Sequence, residues 1–109
     1  MTMDMNNAHE AREQSRTALE EYAEEVFDLH VVALRIRRAI RAGRTRAQIP
    51  QEKPVDLSGT TAATLLVLHL ESLGYATSWE EARKQDTREG TEIHYCELVV
   101  EWHERLCGG

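Results

Sequence analysis

The sequence predicts a mainly α fold: one small helical domain over residues 1–109, with one long amphipathic helix, a buried central helix and a C-terminal helix. Three observations predict it. From Leu19 to Ile40 apolar residues recur at alternating spacings of 3 and 4; between Leu57 and Leu70 there is no charged residue; and from Tyr95 to Leu106 acidic and apolar side chains fall on opposite sides of a helical wheel.

Residues 1–16 read as a frayed N-terminal extension. Asn7 with Glu10 offers an early helix start, but the apolar residues that follow, as far as Arg16, are only alanines. Thr17 and Glu20 have the spacing of a capping box, so the long helix is expected over 17–43. Its seam is Leu19, Tyr22, Val26, Leu29, Ala33, Ile36 and Ile40, the a/d pattern of a coiled coil. Gly43 is placed to end it, since glycine adopts the left-handed conformation without steric cost.

Residues 44–56, with Pro50 and Pro54, read as a loop. Asp56 or Ser58 then caps the central helix, 57–74, which closes at Gly74 with Tyr75 folded back on Leu70 or Leu73. A helix without charge has no evident solvent face, so Leu65, Leu66 and Leu70 are expected at the centre of the core, with His69 there as a neutral, hydrogen-bonded histidine.

The C-terminal segment, 75–109, supports two readings. Ser78 to Glu81 forms another capping box, while Tyr75, Thr77 and Trp79 alternate as a strand does. Further on, a helix over 91–106 puts Glu97, Glu101 and Glu104 on one side, and Tyr95, Leu98, Val99, Trp102 and Leu106 on the other. The alternative is an α+β fold in which 75–84 and 91–102 pair as a β-hairpin. It would place Glu97 and Glu101 on one strand face with Ile93, Tyr95 and Val99, which counts against burying that face. Trp79 and Trp102 read as core or interface aromatics.

With 109 residues, 41% apolar and 29% charged, the chain has the make-up of one ordinary globular domain. It contains no apolar run of membrane-spanning length, and the start MTMDMNNAHEARE is polar and acidic where a secretory signal is basic and then apolar. A cytoplasmic protein without membrane contact is expected. Cys96 and Cys107 are then reduced thiols, with no bond assigned between them.

Catalytic chemistry has few candidates. Glu20, Glu21, Glu24, Glu25 and Asp28 include E-x-x-E spacing, which could hold Mg²⁺ for pyrophosphate hydrolysis. In this the chain resembles, in part, the all-α nucleotide pyrophosphohydrolases of the MazG type. That resemblance implies a metal-dependent hydrolase with a second E-x-x-D pair, where this sequence has only Glu101 with Glu104. Cys96, His103 and Cys107, with His94 nearby, could form a zinc corner on a C-terminal helix, but no C-x-x-C pair accompanies them. No catalytic residue, cofactor or metal is assigned.

Charge is distributed unevenly. Glu20 to Asp28 holds five acids and no base, and Arg35 to Arg46 six arginines and no acid, in a chain of net charge −6. Like charges four residues apart on a helix repel. An antiparallel second copy relieves this by setting Glu21, Glu24 and Glu25 against Arg37, Arg38 and Arg41, which predicts a homodimer with its two-fold axis near residue 32. The arginine block could also contact nucleic acid, although the net charge and the lack of interleaved aromatics argue against this.

In size, acidity and expected helical content the chain resembles small bacterial anti-activators of quorum-sensing transcription regulators, the QslA and TraM type. The resemblance implies a protein that catalyses nothing and sequesters a target, here a transcription regulator of the LuxR type. The seam and its flanking charges would be the partner-binding surface.

Overall fold

The computed structural model describes residues 5, 7–85, 88 and 90–102. Its elements are α1 (Ala8–Val26), α2 (Leu29–Arg41), β1 (Arg46–Ile49), α3 (Thr61–Ser72), β2 (Ala76–Gln85) and β3 (Glu92–Glu101). The strands form one antiparallel sheet in the order β1-β3-β2. The fold is therefore α+β, which corrects the mainly α expectation.

The helical half differs from the expected long rod at both ends and in the middle. The Asn7 side chain accepts the Glu10 N–H at 2.9 Å, so α1 begins at Ala8 and includes most of the segment expected to fray. Thr17 is inside α1, its hydroxyl bonded to the Glu13 carbonyl, and Glu20 is turned elsewhere, so their capping box does not form.

The rod breaks at Phe27 and Asp28. Phe27 is buried and meets Trp79 edge-on at 5.9 Å, while the Asp28 carboxylate accepts the His30 and Val31 N–H groups and caps a new helix. Asp28 is therefore a helix cap as well as one of the acids of the Glu20–Asp28 block. At the end of α2, Gly43 takes φ 76° and the Arg44 N–H returns to the Ala39 carbonyl. The segment expected to be only a loop contains β1, whose Ala47 and Ile49 are buried while Arg46 and Gln48 are exposed.

Neither Asp56 nor Ser58 caps α3. Asp56 accepts the Ser58 N–H and hydroxyl in the preceding turn, bonds that hold its carboxyl below the usual range. The cap is Thr60, whose hydroxyl accepts the Ala63 N–H, and both oxygens of Glu20 receive the Thr61 N–H, at 2.9 and 3.1 Å. A carboxylate at this end also suits the helix dipole. At the other end Gly74 has φ 93° and the Tyr75 N–H reaches the Leu70 carbonyl, closing the helix.

Among the described residues a strand replaces the helix expected over 91–106, and residues 76–85 and 92–101 pair along their whole length as the hairpin β2/β3. Register puts Leu98 and Val100 on the face that packs with Ile49 and the helices, and Tyr95, Glu97 and Val99 on the other face. On that second face Tyr95, Glu97 and Val99 are buried despite the acid, because the bonds of Glu97 are made within the chain. Its carboxylate accepts from Gln48 Nε2 at 2.7 Å, the Gln51 N–H at 3.0 Å and the Tyr95 hydroxyl at 2.9 Å. Arg46 and Glu80 form an ion pair that joins the two outer strands on this same face, beside Val99.

Burial, and then the bond to Glu97, push the Tyr95 hydroxyl up to about 12. The neutral phenol is thus favoured by folding, so its contribution is complete below the ordinary tyrosine value of about 10 and is lost as pH rises through 12. The expected result is an unfolding midpoint that falls over this window, with Tyr95→Phe removing that part of the fall. A titration curve of equal slope in the variant would contradict the placement of Tyr95.

Candidate functional site

The seam residues separate into two groups. Leu19, Tyr22 and Val26 of α1 are half-buried against the chain's own core, with the Tyr22 hydroxyl accepting the Lys53 N–H and Lys53 Nζ 4.8 Å from the ring centre. Ile36 of α2 is buried as well, along with Val32 and Ala39. These residues serve the fold. Leu29 and Ile40 are 55% and 51% exposed, and Ala33 is exposed between them.

Opposite these residues lies a part of the surface that the sequence reading placed in the core. Helix α3 buries Ala63, Leu66 and Leu70, but Leu65 and Leu73 are each 62% exposed, and Leu68 and His69 are exposed too. The expectation that Leu65 and His69 are core residues is thus corrected. A lack of charge meant an apolar outer face, which no other element among the described residues covers.

Two adjoining concavities run along this face, of about 350 and 400 Å³, and Leu29 and His69 line both. The first lies between Ala33, Ile36 and Ile40 of α2 and Leu70, Leu73 and Tyr75 of the α3 end; the second lies between Phe27, Leu65 and Leu66. Together they form an apolar groove. Arg37 lines one part of it and Glu24 the other, so the groove carries opposite charges along its length. Of the remaining flanking charges, Glu21, Glu25, Arg38 and Arg41 are exposed outside the groove. Leu65, Leu73 and Tyr75 were missed as site residues; the signal for them was an uncharged helix whose apolar residues exceed one core-facing stripe.

A second concavity, of about 780 Å³, lies where α2 turns into β1 and is lined by Arg35, Arg38, Arg44 and Arg46. It shares no residue with the groove.

The metal and thiol candidates do not converge. Glu20 is committed to the α3 N-terminus, and Glu101 is on β3. Cys96 is a partly exposed free thiol on β3, and His94 on the same strand pairs with Glu81, whose carboxyl that bond lowers. His103, Glu104, Leu106 and Cys107 lie outside the described residues. Among the described residues no group of three His, Cys, Asp or Glu side chains is arranged to hold a metal, and no helix is long and apolar enough to cross a membrane. Trp79 meets Phe27, and Trp102 meets Tyr75 at 6.0 Å, both edge-on and partly buried. No family model matches the chain, and neither a curated protein nor a solved structure does.

Proposed function

We propose that this is a non-catalytic regulatory protein that takes an amphipathic helix of a target protein into the groove between α2 and α3. One observation carries the reading: large apolar side chains from two helices, Leu29 and Ile40 on one and Leu65 and Leu73 on the other, are left in water around a common concavity. Apolar surface of this kind is stabilised by a partner, and a groove between two helices fits the apolar stripe of a third. Glu24 and Arg37 favour a bound helix with a base toward one end and an acid toward the other. A target that assembles through such a helix, as dimeric transcription regulators do, would be inhibited by losing it to this groove.

We assign the groove to a target rather than to a second copy. The antiparallel homodimer rested on acids and arginines lying along one rod, and the break at Phe27 and Asp28 separates them onto two helices. Pairing α2 with itself would bring Arg37, Arg38 and Arg41 near their own copies without that compensation.

A photo-reactive residue at Ala33 tests this. In a lysate of the source cells it is expected to give one discrete adduct, linked through a helical segment with apolar residues at spacings of 3 and 4. The same residue at exposed Gln85 should not give it, and Ile40→Asp should reduce the yield at least roughly tenfold. An adduct equally strong from both positions, no adduct from Ala33, or an adduct with a second copy of this chain would each overturn the assignment.

A further inference from the structure

The chain has a net charge of −6, yet residues 35–46 contain six arginines and no acid. The fold concentrates this block. Helix α2 ends at Arg41, the positive φ of Gly43 reverses the chain, and β1 begins at Arg46, so that Arg44 and Arg46 return beside Arg35 and Arg38 around one concavity. Arg46 is neutralised by Glu80. Among the described residues Arg35, Arg38 and Arg44 have no acidic partner, and no acid lines the concavity. Guanidinium groups held together without counter-charge repel one another, and a bound anion removes that repulsion.

We propose that this basin binds a chain of adjacent phosphates, the di- or triphosphate group of a small ligand. Three unpaired guanidiniums offset most of the charge of such a chain, and each can grip neighbouring phosphate oxygens through two parallel hydrogen bonds. A single carboxylate would leave most of that charge uncompensated. Among the described residues no aromatic side chain lines the basin, so these residues offer nothing for a base to stack on and read phosphates only. An extended nucleic acid is disfavoured by the acids around the basin: Glu80 and Glu101 beside Arg46, and Glu25 and Glu52 on the other flank of Arg35. The source of the phosphates is either a free inorganic chain or the tail of a nucleotide, and the same site chemistry serves both.

Calorimetric titration of the full chain at low salt with inorganic triphosphate, ATP and inorganic phosphate tests the site. Triphosphate and ATP are expected to bind, with inorganic phosphate at least roughly tenfold weaker. ATP binding tighter than triphosphate identifies a nucleotide as the source, and the reverse order identifies the free chain. The double variant Arg35→Gln, Arg38→Gln should weaken triphosphate binding roughly tenfold or more, while Arg12→Gln, on α1 and outside both the groove and the basin, should leave it unchanged. All three side chains are exposed, and circular dichroism verifies that the variants keep the fold. No binding of triphosphate at millimolar concentration, equal binding by the double variant, or tighter binding of a short DNA duplex at the same salt would overturn the proposal. None of these results depends on what the groove binds.

Discussion

Leu98→Ala is expected to lower stability by about 2 to 5 kcal/mol, a large part of the roughly 5 to 15 kcal/mol available to a domain of this size. Leu98 is 0% exposed on β3, the middle strand, with Ile49 and Trp79 as its neighbours in register on either side. Truncation there opens a cavity between the sheet and the helices packed on it. Urea unfolding followed by circular dichroism reads the loss as a lower midpoint. Leu65→Ala is the control: 62% exposed, it should shift stability by no more than about 0.5 kcal/mol. Equal losses from the two substitutions would show that α3 faces the core with a different side.

The second large effect is expected at Glu97. Glu97→Ala removes the acceptor of two buried donors, the Gln51 N–H and the Tyr95 hydroxyl, where water has little access, and of the exposed Gln48 amide. A buried donor without a partner costs about 1 to 3 kcal/mol, so a total loss of about 3 to 5 kcal/mol is expected after partial rearrangement. Glu97→Gln keeps one acceptor oxygen but turns two N–H bonds toward groups that already donate, and should fall between the alanine variant and the native protein. Hydrogen exchange at the Gln51 amide offers a local readout and should accelerate in both variants. If Glu97→Ala unfolded at the native midpoint, the carboxylate would not be what holds β1 and its following turn to β3.

These two residues also show why part of the fold was legible in the sequence and part was not. The helix ends at Gly43 and Gly74 follow from local backbone chemistry, and the sequence placed both correctly. Glu97 does not act locally. Its partners are 49 residues away on β1, 46 away in the next turn, or two away on the same strand, so the feature that permits the strand's burial is invisible to a periodicity argument. Asp28 misled for the opposite reason: its capping role is local, but the apolar spacing of 3 and 4 continues unchanged across it. The groove was half legible. Leu29, Ala33 and Ile40 were selected from the seam, whereas the α3 side was hidden by equating an uncharged helix with a buried one.

Helix α1 has no buried residue from Ala8 to Ala18 and extends a molecule that measures 69 × 32 × 24 Å, with a radius of gyration of 17.5 Å. A compact chain of that radius would contain about 230 residues, roughly twice the number present. The excess has a hydrodynamic consequence. One copy tumbles and diffuses with the drag of a much larger globule, so its elution volume imitates that of two compact subunits, and only a method that weighs the particle distinguishes a stretched monomer from a real pair.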